Sequence, residues 1–484
     1  MSNVIFQNRL SRSLTSNAPL DSRILAWLDR FMFASLLALI VVVVIPYGTV
    51  EAWWISLYEC AIFGLGALWI VEGLVRGAWN VQEKGLIAPV VLLGLFTFLQ
   101  STTLLNSAIT FSADPFETRL IFLKLLAFAI NAALLFRYTS SPRRLRTLIH
   151  VVIGMALVSA LFGILRQALQ HNEAGFILPY LRRDSGFGQF VNKNHFAFLM
   201  EMAIGLTTGF LLGDAAKRKY FLLYLSAVAL MWVGLVLTNS RGGLFSMLGQ
   251  MLFLIVMLAW LRSKRRSELP RAKRNVLRVF APAIALSICL LAAVAVGAIW
   301  IGGEVMVTRL ASLPGEIKTD ARDPHAGGRR REVWSASWQL IKAHPLTGSG
   351  FGAYGVAITR VHDGSGKWIP EAAHNDYLEL LSSGGLVGVA LVTWFGFTFL
   401  KRSRHQLYSA EPVRSAACLG ALTGLFGVMA HNVVDFGLHI TANAVAFIAL
   451  AVIATRDFGE KNPLEQQFRL HSKGELDDFN FTTK

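Results

Sequence analysis

The stretch FMFASLLALIVVVVIPYGT at residues 31–49 carries no charged side chain. A run of this length is what a helix needs to cross about 30 Å of hydrocarbon, where no water satisfies the backbone. Runs of the same kind recur along the chain. We count twelve, near 31–49, 53–75, 86–105, 119–137, 146–169, 194–213, 220–239, 242–261, 279–302, 378–400, 415–434 and 439–455. They are continuous rather than alternating in hydropathy, which selects helices over a closed barrel. The expected fold class is therefore an all-α polytopic membrane protein with about twelve transmembrane helices. Composition agrees: of 484 residues, 54% are hydrophobic and 16% charged, against about 25% charged in a soluble domain. So little separates the first two runs that they are expected to form a tight helical hairpin.

A net charge of +16 would suit nucleic acid, but the charges stand in short clusters between apolar runs, as topology determinants do. No nucleic-acid partner is expected; membrane lipids are. The most basic connection, with Arg262, Lys264, Arg265, Arg266, Arg271, Lys273, Arg274 and Arg278, joins runs eight and nine and is placed inside. Alternation then puts the clusters Arg143/Arg144/Arg146, Lys217/Arg218/Lys219 and Lys401/Arg402/Arg404 inside as well. The connections near Tyr47–Trp54 and Asn106–Thr118, which hold no Lys or Arg, fall outside. Both termini are inside. Arg9, Arg12, Arg23 and Arg30 precede the first run, which is too long for a cleaved signal core and is expected to stay as an anchor.

The resulting division is 1–30 as an inside N-terminal segment, 31–302 as helices one to nine with an outside loop at 170–193, 303–377 as a large outside loop, 378–456 as helices ten to twelve, and 457–484 as an inside tail. Cys60, Cys289 and Cys418 all fall in apolar runs without CxxC or metal-ligand spacing, so they are expected buried, unpaired and inert. No metal or other cofactor is expected, because Asp-x-Asp, Walker and HExxH patterns are absent.

Basic residues also stand outside, where the positive-inside rule would remove them: Arg182, Arg183, Lys193, Arg241, Arg322, Arg329, Arg330 and Arg331. A bound anion gives them a reason to be there. Arg329-Arg330-Arg331 opens a helix-like stretch in which Trp334, Trp338 and Ile341 share one face, as in a helix lying on the membrane or over the bundle. Three cations at a helix start are disfavoured unless an anion joins them. The stretch ends at HPLTGSGFG, 344–352, a helix stop followed by a turn. Arg241, in TNSRGG at 238–243, sits between two runs with almost no loop, so it is held near the bilayer surface. Lys193 and Asn194 belong to a Gly- and Asn-rich segment, 184–196, suited to sugar or phosphate. His374 begins HNDYLELL at the head of run ten, where a helix N-terminus favours the neutral imidazole that a general base requires.

The segment from Arg330 to Gly388 resembles the shared domain of the O-antigen ligase, O-antigen polymerase and related oligosaccharyltransferase family. The resemblance rests on Arg330-x-x-x-Trp334, HPLTGSGFG at 344–352 and HNDYLELLSSGGLVG at 374–388, with SRGG at 240–243 and FVNKNHFA at 190–197. Twelve spans with one large outside loop between the ninth and tenth match the ligase pattern. The resemblance implies a GT-C-type inner-membrane glycosyltransferase with a periplasmic site, using neither metal nor nucleotide sugar. Its donor would be a glycan on undecaprenyl pyrophosphate, and its acceptor lipid A–core or a second lipid-linked glycan. His374 would be the base of an inverting attack, and Arg241 and Arg330 would hold the pyrophosphate. Arg329 and Arg331 stay open as alternatives to Arg330. Arg329, Arg331, Lys193, Asn194, Asn375 and Trp334 form the expected substrate-binding set. The motifs do not separate a ligase or polymerase from a protein O-oligosaccharyltransferase. A flippase or transporter of the same lipids would also need outer arginines, but it predicts charges deep in several spans and a repeat. Neither is clear here: Glu201 and Asp435 are the notable acidic residues near membrane depth, both close to ends.

Overall fold

A computed structural model describes residues 18–77, 83–102, 111–170, 177–181, 186–213, 218–267, 328–362 and 370–458. The expected ninth span, the first part of the large loop, Cys289, Arg182, Arg183, Arg322, the first arginines and the tail beyond 458 lie outside these residues. The described chain is helical: α1 Ala18–Val42, α2 Ala52–Arg76, α3 Lys84–Gln100, α4 Pro115–Tyr138, α5 Pro142–Leu169, α6 Lys193–Leu212, α7 Phe221–Leu237, α8 Arg241–Ser267, α9 Gly328–Ala343, α10 Tyr354–Ala357, α11 Asp376–Leu407, α12 Pro412–His431 and α13 Thr441–Thr455. Eleven of the twelve apolar runs coincide with helices. Eight of these helices are long and apolar enough to cross a membrane, while α3, α7 and α13 are shorter apolar helices. Large apolar side chains such as Leu74, Leu222 and Phe397 lie exposed on the outside of the bundle, as on a lipid-facing surface. Cys60 is also exposed, contrary to the expectation from its apolar run; Cys418 is buried. The connection from α1 to α2 is short, yet α1 packs mainly on α4 and α5, and α2 on α4, rather than side by side as a hairpin.

The centre of the bundle is α6, buried along nearly its whole length against α12. Glycines make that contact possible. A Cβ on Gly205 would lie 2.2 Å from the Gly424 nitrogen, and one on Gly209 would lie 2.1 Å from the Gly420 Cα. Where the hydrophobic effect between helices is absent, such four-residue spacing of small residues lets backbones touch and dispersion hold them.

One end of the bundle gathers the basic clusters placed inside by charge. Arg144 pairs with Asp29, Arg146 with Glu411 at 3.3 Å, and Arg402 with Glu83 at 3.2 Å. At the opposite end α11 is interrupted. Gly385 has φ +58° and ψ −161°, which breaks the helix ladder, and the 345–352 turn inserts there. Ser349 N and Gly350 N donate to the Ser382 and Ser383 carbonyls at 2.9 and 3.0 Å, and Leu386 N donates to the Pro345 carbonyl at 3.0 Å. Gln100 closes the gap, donating to the Thr347 and Ser383 carbonyls at 2.6 and 3.0 Å. Non-helical backbone is tolerated in a membrane bundle only when protein satisfies it in this way. HPLTGSGFG and SSGGLVG are thus two halves of one structural joint. Beside it, Val333, Ala336 and Leu340 of α9 bury with Tyr354, Ile358 and Ala373 in a small separate core.

Candidate functional site

His374 stands just ahead of α11 and is held from both sides. Asn375 caps the helix, its Oδ1 accepting from the Tyr377 and Leu378 amides at 3.0 and 3.1 Å. Ala373, just before the histidine, donates its N–H to Glu379 Oε2 at 2.9 Å, and its carbonyl accepts from Trp334 Nε1 at 3.0 Å. Between these anchors His374 adopts φ +49°, a left-handed conformation that costs a residue with a Cβ about 1–2 kcal/mol. Strain of this kind persists where the surroundings over-determine the backbone, and such places cluster at functional sites.

His374 Nδ1 faces Asp435 Oδ1 at 3.5 Å, and the histidine side chain is 36% exposed while Asp435 is buried. Phe436 packs edge-on against the imidazole, with ring centroids 4.9 Å apart. Asp435 lies in the turn between α12 and α13, where its Oδ1 also accepts the Phe436 amide at 2.9 Å and its Oδ2 accepts the side-chain amide of Asn194. Burial alone would push this carboxyl up. The neighbouring His374, the hydrogen bond from the Phe436 amide and the attraction of His195 outweigh it and hold the pKa down at about 2. Asp435 is therefore an anion that faces Nδ1 and would stabilise an imidazolium. Nε2 is the ring nitrogen left for a substrate.

The cations approach from other helix starts. Lys193, at the head of α6, donates to the Asn239 carbonyl at 3.2 Å, and Asn239 turns the chain with φ +56°. Ser240 then caps α8, its Oγ accepting the Gly243 amide at 3.1 Å. Arg241 is the first residue of α8 and is exposed. Arg330 and Arg331 are exposed in the first turn of α9, the helix whose Trp334 is bonded to the Ala373 carbonyl beside His374. The side chain of Arg329 lies outside the described residues. Hydrogen bonds thus link the α6 start to the α8 start and α9 to the α11 start, and Asp435 lies between Asn194 of α6 and His374. Each helix start presents unsatisfied amides and positive dipole ends, which favour an anion. Among the described residues, no group of three or more His, Cys, Asp or Glu side chains is arranged to hold a metal ion.

The expected residues therefore gather at one end of the bundle, with different tasks from some of those anticipated. Trp334 is a clamp on the peptide before His374. Ile341 is buried and Trp334 half-buried, whereas Trp338 is 51% exposed, and the packed face of α9 also takes in Val333, Ala336, Ser337 and Leu340. The offset follows from size: Ala336 and Ser337 allow close approach, and Ser337 Oγ meets Tyr354 Oη at 2.6 Å. Lys193 and Asn194 act on the protein itself, shaping the Arg241 turn and holding Asp435. The sequence reading passed over Asp435 and Glu379 as site residues. The first was visible as a lone carboxylate in HNVVDF at the end of an apolar run, and the second as an acid one turn into the His374 helix.

No curated protein matches the chain. Residues 226–393 match the family model described as O-Antigen ligase, a segment that contains Arg241, Arg329–Arg331, Trp334, His374 and Asn375 and stops short of Asp435. The segment that carries the imidazole and the helix-start arginines is accordingly an O-antigen ligase domain, and it belongs to the O-antigen ligase and polymerase family.

Proposed function

We propose that this protein is a metal-independent inverting glycosyltransferase of the bacterial inner membrane. It moves a glycan from undecaprenyl pyrophosphate to an acceptor hydroxyl at the periplasmic face. The chain would cross the membrane twelve times in a GT-C-like arrangement, with both termini cytoplasmic and residues 303–377 forming the outer loop. The observation that carries this reading is the strained, clamped His374, with Nδ1 on a buried anion and arginines at neighbouring helix starts.

In the reaction, His374 Nε2 takes the proton of the acceptor hydroxyl as the oxygen attacks the anomeric carbon from the face opposite the leaving group. The bond from that carbon to the phosphate oxygen breaks, and the electron pair leaves with the pyrophosphate. Arg241 and Arg330, aided by Arg331 or Arg329, meet the charge that develops there. Pyrophosphate is a good leaving group, so the chemistry asks for one base and no acid. Asp435 keeps the ring in the tautomer whose Nε2 is free and stabilises the imidazolium until its proton passes to water.

Lipid-borne substrates suit the surroundings. An apolar cavity of about 340 Å³ lies between α3, α4, α11 and α13 and is lined by residues such as Val90, Phe128, Leu391 and Phe447. Its lining includes Leu438, in the same turn as Asp435, and it offers room for a hydrocarbon chain. A polyprenyl donor needs such room whichever acceptor is used.

The test is reconstitution of the purified protein in nanodiscs with a glycan on undecaprenyl pyrophosphate and each acceptor class in turn. Formation of a new glycosidic product with release of undecaprenyl pyrophosphate is expected; flipping without product formation would favour a transporter. The glycolipids of a deletion strain then separate the subclasses: uncapped lipid A–core marks a ligase, accumulated single repeats a polymerase, and unglycosylated protein an oligosaccharyltransferase.

A further inference from the structure

His431, the last residue of α12, is buried, and each part of it touches a different element of the site. Its Nδ1 meets Glu201 Oε1 of α6 at 2.8 Å, with both side chains almost fully enclosed. One ring face stacks on Phe198, centroids 4.1 Å apart and planes 6° from parallel. The opposite edge is pressed on α8: a Cβ at Gly242 would lie 2.4 Å from His431 Nε2 and 2.6 Å from its Cδ2. Gly242 follows Arg241 directly. The carbonyl of His431 accepts the Val434 and Asp435 amides at 2.9 and 3.2 Å. The same end of α12 also fixes the His374 helix, since the Asn432 carbonyl accepts the Asp376 amide at 3.0 Å and the Met429 carbonyl accepts Tyr377 Oη at 2.8 Å.

A buried ionisable pair at membrane depth is a poor means of gaining stability, because desolvation offsets most of its Coulomb attraction. Its usefulness here is geometric. One rigid ring bridges the helix that bears Asn194 and the helix that begins with Arg241, while the backbone carbonyl of the same residue holds the turn that carries Asp435. It also gives the first glycine of SRGG a reason that involves no ligand: any side chain there would strike the imidazole.

We infer that His431 is a positioning residue for glycosyl transfer, setting the Arg241 helix start against the Asp435 turn, with Gly242 as its seat. The inference rests on the transferase reading of the site. A displacement of about 1 Å between a leaving-group clamp and a base lowers turnover by up to about a hundredfold.

Asparagine at 431 separates this role from fold maintenance. Its side-chain amide replaces Nδ1 toward Glu201, so the buried carboxylate keeps its donor, but nothing replaces the Nε2 and Cδ2 edge against Gly242. Full-length wild type, His431→Asn, Gly242→Ala and the double variant are purified in nanodiscs. Each is assayed for kcat and for both KM values with lipid-linked donor and acceptor, and each is checked for thermal unfolding. We expect kcat to fall at least tenfold in His431→Asn with its unfolding temperature held. We expect a similar loss in Gly242→Ala, and recovery to within about threefold of wild type in the double variant, where the alanine methyl fills the vacated edge. Wild-type kcat in His431→Asn overturns the inference, as does a double variant no more active than the poorer single one. If Gly242→Ala does not fold, His431→Asn alone decides. A wild type that transfers no glycan refutes the transferase reading instead.

Discussion

Replacing Asp435 with asparagine tests the electrostatic half of the mechanism. The carboxylate sits 3.5 Å from His374 Nδ1. When the imidazole takes the acceptor proton, two opposite unit charges face each other at that distance. With an effective dielectric near 20, their attraction is about 5 kcal/mol. His374 is 36% exposed, so water screens part of it, and about 2 kcal/mol is a fair share for the transition state. That corresponds to about a thirtyfold loss of kcat. Asparagine keeps an oxygen for the Phe436 amide, and the Asn194 side chain can flip its own oxygen toward the new amino group, so the turn should hold; the arginines are untouched, so the donor KM should stay within about threefold. The assay is steady-state glycan transfer in nanodiscs with donor and acceptor varied separately. A variant with wild-type kcat would refute the claim that Asp435 stabilises an imidazolium, and a change confined to donor KM would place the residue in binding instead.

Four further outcomes are expected. Arg241→Ala should raise the donor KM at least tenfold, since a hydrogen bond to a charged group contributes about 1.5–3 kcal/mol; unchanged donor affinity counts against that assignment. Trp334→Phe keeps the aromatic volume but removes the bond to the Ala373 carbonyl, so kcat should fall about fivefold with little change in either KM; full activity would make the clamp irrelevant. Gly385→Ala places a Cβ 2.4 Å from the Leu346 carbonyl oxygen at φ +58°, and should lower stability by about 1–3 kcal/mol in thermal unfolding; an unchanged unfolding temperature would deny the joint. The Asp435 carboxyl is held down at about 2, below the ordinary value near 3.9. Its contribution to stability is therefore complete above pH 4 and is lost as pH falls toward 2, by roughly 2 kcal/mol. Unfolding followed from pH 6 to pH 2 should show that loss in wild type and a flatter curve in Asp435→Asn.

Much of this was legible because a bilayer constrains sequence strongly. Uncharged runs of twenty residues and the Lys and Arg bias located eleven helices and the basic end of the bundle before any coordinates. The ends of α11 and α8 were readable too, because His374-Asn375 and Ser240-Arg241 carry their own caps. Long-range partnerships were not readable. Nothing local in HPLTGSGFG says that it repairs a break at Gly385, because its hydrogen-bond partners lie more than thirty residues on, and Gln100 lies on another helix. Asp435 looked like a carboxylate stranded at the end of a span, since only the fold brings it to His374 and Asn194. On α9 only Trp338 stands away from the packed face, while Trp334 and Ile341 pack. Packing against Tyr354 rewards the small side chains Ala336 and Ser337 at that contact.

The central claim is that His374 removes the acceptor proton during transfer from a lipid diphosphate. It is tested most directly by single-turnover reaction of His374→Gln beside wild type, with donor binding measured separately on the same preparations. Glutamine can keep a polar contact to Asp435 but cannot accept the proton. We predict unchanged donor affinity and a transfer rate at least a hundredfold lower. Transfer at the wild-type rate would contradict the account.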